Sequence, residues 1–269
     1  SEITRDSVGK YLAIWRAFFV NNLTRDMEFK ANFLGRLFVD VIFYGTHYLF
    51  FSIIFSYVEA LNEFQRPDVM IFLVITFIMD TVYMLLFAGN LSKINQLVVR
   101  GDLDFALLKP VSGQFFISFR YVLTYGLVSI MILSGLLITL CLQSEREITL
   151  INGLIFIFSF GLGITLFYSV DFIIGCLSFW FRSFTVGGWL SHELMKFSMR
   201  PDTIYTGWLR RTLFSLVPVA LISSVPARIL IYGPSLNYLG IQLLVALIFL
   251  TLTRIVWRTG IKNYESASS

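Results

Sequence analysis

Residues Tyr121–Ser144, YVLTYGLVSIMILSGLLITLCLQS, carry no charged side chain and exceed the ~20 residues that a helix needs to cross hydrocarbon ~30 Å thick. Behind the break Glu145-Arg146-Glu147, a second such run extends from Ile148 to Val170, ITLINGLIFIFSFGLGITLFYSV. A soluble core helix has no need of so long an uncharged run. Nor does either run alternate polar and apolar residues as a barrel strand does, so the backbone must satisfy its own hydrogen bonds as helix. The class that follows is all-α: a polytopic membrane protein of about six transmembrane helices.

Composition agrees: of 269 residues, 57% are hydrophobic, 17% aromatic and only 14% charged, with a mean hydropathy of +0.76. That profile excludes an ordinary soluble domain. The pI of about 9.1 has a membrane explanation, and no basic cluster resembles a nucleic-acid site, so no nucleic-acid partner is expected. No internal repeat or linker is apparent, and residues 1–269 read as one membrane domain.

Outward from the deciding runs, spans are predicted at Phe33–Val58, Val69–Leu91, Phe116–Leu142, Ile148–Phe181, Phe184–Phe197 and Tyr238–Trp257. The fourth is too long for one upright crossing and must tilt or project. The fifth is short and carries His192, Glu193 and Lys196; Leu213–Tyr232 is its rival. Pro218 and Pro226 interrupt that rival, which favours a re-entrant outer region of two short helices within residues 200–236. Ahead of the spans, Tyr11–Val20 is broken by Arg16 and lacks a small-residue cleavage site, so it reads as an interfacial helix within residues 1–30 and not as a secretory signal. Most of the 21 Lys and Arg then fall on one side together with both termini, which should be cytoplasmic. Cys141 and Cys176 fall toward opposite faces, so no disulfide is expected.

This topology leaves residues 92–114 in the cytosol between the second and third spans. Leu97, Val98, Leu103, Leu107 and Leu108 suit an apolar helical face, Arg100, Asp102, Asp104 and Lys109 a wet one, and Pro110 a helix stop. Such a helix fits either the docking of a soluble subunit or packing under its own bundle. Within the spans, Asp40, Tyr44 and His47 recur at helical spacing. Asp80 lies mid-span, where an Asp needs a partner or a wet cavity. Pathway lining and an interhelical hydrogen bond, to Tyr83, Thr76 or a neighbouring span, both account for it. His47 reads as a structural histidine in preference to a proton relay. Asp171 is expected near the inner interface, neutralised by Arg182 or Lys109. His192, Glu193 and Lys196 do not make a zinc site, which wants three or four ligands where the chain has two histidines; Glu193 and Lys196 neutralise each other more simply.

The stretch Arg100-Gly101-Asp102-Leu103-Asp104-Phe105-Ala106-Leu107-Leu108-Lys109-Pro110, the interfacial N-terminal helix, the Pro-broken region before the last span and the ending Tyr264-Glu265-Ser266-Ala267-Ser268-Ser269 together resemble the permease subunits of bacterial type-2 ABC exporters, the ABC-2 family transporter proteins. The similarity covers nearly the whole chain. It implies an inner-membrane half-transporter, with no catalytic residues, no cofactor of its own and no metal. A second permease copy, like or unlike, would stand beside it. ABC ATPase subunits holding ATP and Mg would dock at Arg100, Gly101, Asp102, Leu103, Asp104, Leu107, Lys109 and Pro110. The chain has no Gly-x-x-x-x-Gly-Lys-Ser/Thr loop to hold phosphates itself. The family's route, lined by the first, second and fifth spans, would place Asp40, Tyr44, His47 and Asp80 toward a hydrophobic or amphiphilic substrate. A non-transport membrane scaffold that recruits a cytosolic partner is the alternative. A membrane-embedded hydrolase is disfavoured, because the serines at Ser134 and Ser159 have no nearby His in sequence.

Overall fold

A computed structural model describes residues 2–61, 64–144, 149–181, 187–201, 204–215 and 218–264. The chain is helical almost throughout: α1 Glu2–Glu28, α2 Lys30–Ile54, α3 Arg66–Tyr83, α4 Gly89–Leu91, α5 Ile94–Arg100, α6 Leu103–Leu107, α7 Gly113–Phe119, α8 Gly126–Gln143, α9 Leu150–Cys176, α10 Gly187–Lys196, α11 Gly207–Ser215, α12 Ala220–Tyr232 and α13 Leu236–Asn263. A two-residue antiparallel ladder, β1 Ala60–Leu61 with β2 Phe64–Gln65, links α2 to α3. Among the described residues, five helical stretches are long and apolar enough to cross a membrane: Lys30–Ile54, Arg66–Arg100, Gly126–Gln143, Leu150–Phe179 and Leu236–Asn263. The protein is thus a multi-pass, all-α membrane protein.

The predicted fifth span is the correction. Its described part is α10, ten residues, a rise of ~15 Å against the ~30 Å of hydrocarbon; Phe184 lies outside the described residues. Its place in the core is taken by α12, thirteen residues of the rival segment.

Two helices form the centre. α3 is apolar on every face and buried from Asp68 to Met79, the pattern of a helix walled in by others. It begins where the Asp68 carboxylate accepts the Gln65 N–H at 3.1 Å, with Pro67 in its first turn, where a missing N–H costs nothing. α12 is buried from Ala220 to Ile231 and packs on α3, α9 and α13. Pro226 has no N–H to offer the Ile222 carbonyl one turn earlier. That oxygen lies against Gly163 of α9, where a side chain would strike it. Gln242 of α13 donates to the carbonyls of Leu221 and Ser159 at 2.9 and 3.1 Å and accepts the Ser159 hydroxyl at 2.6 Å. Small residues and one buried amide therefore join α9, α12 and α13, the usual currency of helix association in lipid.

The third predicted span, Phe116–Leu142, is not one helix. α7 stops at Phe119 and α8 begins at Gly126, and the intervening backbone is bonded by side chains. Asn90 donates to the Tyr121 carbonyl at 2.7 Å and accepts the Tyr121 N–H at 2.8 Å. A π-helical turn, Met84–Ala88, leaves the Leu85 carbonyl to accept the Leu123 N–H at 3.0 Å. Both cysteines are free thiols.

Gly163→Ala is expected to lower stability by about 1–3 kcal/mol, the cost of overpacking a close helix contact. Gly161→Ala, with open space at its Cβ, should leave stability unchanged. Thermal unfolding of both variants in one detergent checks the pair.

Candidate functional site

α2, α3, the π-helical turn, α9 and α10 line an open-sided cavity of about 710 Å³, within the range of small-molecule sites. Asp40, Tyr44 and His47 reach it from α2 and Asp80 from α3; Asp171 of α9, Ser191, His192 and Lys196 of α10 and Arg200 just after it add further polar groups. Four phenylalanines, Phe43, Phe50, Phe51 and Phe167, lie on the same lining.

A hydroxyl from another helix meets each carboxylate. Tyr44 donates to Asp80 at 2.9 Å. The Tyr44 oxygen also lies 3.0 Å from Thr81 Oγ1, whose own hydrogen is committed to the Phe77 carbonyl at 2.8 Å. Ser129 of α8 donates to Asp40 at 2.8 Å, and Tyr83 donates to Asp171. The interhelical reading of Asp80 therefore holds in its third form, a group on a neighbouring span, in place of Tyr83 or Thr76. Thr76 is occupied by the Phe72 carbonyl, and Tyr83 turns toward α9, its ring stacked on Phe167 at 3.8 Å. Tyr44 reaches Asp80 because its ring stacks on Phe77, with centroids 4.6 Å apart.

Asp171 lies within α9 and on the cavity. Of its two expected partners, Lys109 is exposed and among the described residues forms no ion pair with it, while Arg182 lies outside them. His47 Nδ1 stands 2.9 Å from the Phe43 carbonyl of its own helix. Lys196 and Glu193 form an ion pair at 2.5 Å. Among the described residues no group of three or more potential ligands could hold a metal.

At one end of the bundle, α5 and α6 carry the Arg100–Pro110 stretch. Gly101, at φ 77°, sits in the left-handed region that suits glycine and splits the expected single helix in two. Its predicted apolar face is therefore divided: Leu103 turns inward with Ala106, while Leu107 and Leu108 turn outward. Phe105 is 69% exposed and Leu108 81%, with Arg100, Asp102 and Lys109 exposed around them. Asp104 is half-buried beside Tyr264, whose phenol is pushed up first by burial and then by that carboxylate. Residues 265–269 of the tail lie outside the described residues.

α1 runs along the segment that follows. Lys10 donates to the Pro110 carbonyl at 2.9 Å, the Ser112 N–H donates to the Tyr11 hydroxyl at 3.1 Å, and the Tyr11 and Phe115 rings meet at 4.7 Å. Asn22 donates to the Arg120 carbonyl at 3.0 Å, and Asp26 accepts the Thr124 hydroxyl at 2.7 Å. Both described ends of the chain thus gather at the end of the bundle where α5 and α6 lie. Sequence reading missed Ser129, Asn90 and Asp26 as partners; the available signal was one polar residue inside or beside an apolar run.

A family model described as ABC-2 family transporter protein matches residues 41–268. No curated protein and no solved structure matches the chain.

Tyr44→Phe removes the only donor that Asp80 has among the described residues and is expected to cost about 1 kcal/mol, typical of an interhelical hydrogen bond in lipid. Asp80→Asn keeps an oxygen for the Tyr44 O–H and should cost less. Chemical unfolding of the two variants checks this order.

Proposed function

Since the chain belongs to the ABC-2 family of transporter proteins, and is thus a non-catalytic membrane permease component that partners an ABC ATPase, we propose that it forms half of the translocation pathway of a bacterial inner-membrane exporter. In this reading a second permease copy, identical or divergent, stands beside it, both termini are cytoplasmic, and ATP and Mg sit on the ATPase subunits. The observation that carries the reading is the exposed surface of α5 and α6, where Phe105 and Leu108 project between Arg100, Asp102 and Lys109. Covering a Phe or Leu side chain contributes ~1.5–3 kcal/mol, and the surrounding charges give the contact its register.

ATP-driven closure of the ATPase pair would press on this surface. α5 follows α4 and the π-helical turn of the α3 stretch directly, and Asn90 ties that stretch to Tyr121. Lys93 adds a contact over the Tyr121 ring at 3.7 Å. α1 holds the 110–124 segment from the other side. A push on α5 and α6 therefore has a bonded route to α3, and α3 presents Asp80 to the cavity. Transport is then a shift between states of the cavity, biased by nucleotide at the distant subunit. Its aromatic lining suits a hydrophobic or amphiphilic cargo.

Co-expression with the neighbouring genes, mild-detergent pull-down and an ATPase assay test the proposal. Wild type should recover an ATPase subunit, and Phe105→Glu with Leu108→Glu should reduce that recovery roughly tenfold or more, the equivalent of one lost apolar contact. Asp102→Lys with Asp104→Lys should abolish transport while sparing membrane insertion. A wild-type chain that purifies without any ATPase would favour the non-transport scaffold.

A further inference from the structure

The cavity holds more acid than its own walls neutralise. Asp40, Asp80 and Asp171 all line it, and among the described residues no Lys, Arg or His forms an ion pair with any of them. Asp40 and Asp80 each have one oxygen bound by a neutral hydroxyl, from Ser129 and Tyr44 respectively, and Asp171 is bonded by two, from Tyr83 and Ser191. Among the described residues, Asp40 and Asp80 have no donor for Oδ1, which is left to the cavity. The basic residues on the lining are His47 of α2, His192 and Lys196 of α10 and Arg200 just after it; Lys196 is paired with Glu193 and Arg200 is bonded to Tyr205.

A carboxylate in a low-dielectric site is costly without a counter-charge, and a hydroxyl dipole does not supply one. The same site offers ring faces, from Phe43, Phe50 and Phe167, which attract a cation and bury an apolar body. We propose that the cavity selects an amphiphilic organic cation, its protonated amine or quaternary centre held between the three carboxylates and its apolar body against the rings. This rests on the reading of the cavity as part of the transport route.

Tetraphenylphosphonium and tetraphenylborate, near-identical in shape and opposite in charge, separate the charge from the apolar contact. Equilibrium binding of each to the full chain in lipid nanodiscs, against empty nanodiscs, should favour the cation by about tenfold or more, the scale of a desolvated cation on aromatic faces. Asp40→Asn with Asp80→Asn should erase that preference without weakening tetraphenylborate. The same two positions changed to Glu should restore it, which a merely structural role would not do. Equal affinity for the two probes, a preference for the anion, or a cation preference unmoved by the Asn pair would overturn the proposal.

Thr46→Trp, which fills the cavity from α2, distinguishes failure of the route from failure of the charge assignment. In the complex assembled with its ATPase, loss of tetraphenylphosphonium export by Thr46→Trp supports the route. Charge-selective binding together with undiminished export by that variant would remove the cavity from the route while leaving the cation site in place. Equal binding of both probes, with export blocked by Thr46→Trp, would keep the route and reject the cation.

Discussion

Asn90 holds the backbone of Tyr121 by two hydrogen bonds, one in each direction, and this bond pair reconciles a broken helix with an apolar setting. Polar backbone groups away from water must be paired. Between Phe119 and Gly126 the helical ladder is interrupted, so the pairs come from elsewhere: Asn90, the Leu85 carbonyl released by the π-helical turn, and Asp26 and Asn22 of α1. Every one of these partners lies on a different element from the segment it serves. The break is therefore a junction where α1, the α3 stretch and α8 are tied together.

The cavity obeys the same rule with side chains in place of backbone. Asp80, Asp40 and Asp171 each recruit a hydroxyl across a helix boundary, so the acidic residues that line the space also fix the spacing of α2, α3, α8 and α9. α2 otherwise leaves most of its length exposed; Tyr44 and Phe51, with Phe55 just past its end, are the main buried anchors. Its position relative to the bundle accordingly leans on Tyr44, which packs on Phe77 and bonds Asp80 at once. A ligand that competes for Asp80 would loosen α2 as well as occupy the cavity.

Length and apolar composition made all five long membrane-crossing stretches legible, because a run such as Tyr121–Ser144 has few alternatives. What composition does not encode is where such a run yields. Phe116–Leu142 reads as one span, yet it breaks because partners some thirty to a hundred residues away, Asn90, Asn22 and Asp26, stabilise the unwound backbone. The exchange of α10 for α12 has the same origin. Pro226 argues against a buried helix locally, but Gly163 of α9 leaves room for the freed Ile222 carbonyl and Gln242 of α13 bonds the neighbouring Leu221 carbonyl. In the cavity, periodicity was enough to group Asp40, Tyr44 and His47. The pairing of Asp80 with Tyr44 was not, because the choice among Tyr44, Thr76 and Tyr83 depends on which way each ring or hydroxyl turns after packing. Likewise, the position of Gly101 between two apolar stretches was visible, while its left-handed conformation, which decides that Leu103 is buried and Leu108 is not, follows from tertiary contact.

The two ends of the molecule are connected through a short set of named groups. From the exposed Phe105 and Leu108, the chain runs back through Gly101 to α5, then to Lys93 and Asn90, which grip Tyr121. One turn further lies the π-helical segment, and Tyr83, at its start, bonds Asp171 in the cavity. A π-helical turn has wider hydrogen-bond spacing than the helix on either side, and such turns recur at functional sites. Here it stands between the junction at Tyr121 and the carboxylates, so a change in its winding would rotate Tyr83 and Met84, both on the cavity lining, relative to Asn90. The break at residues 120–125 gives that rotation somewhere to go, because its backbone is held by side chains that can follow. A continuous third span would lock the same turn in place.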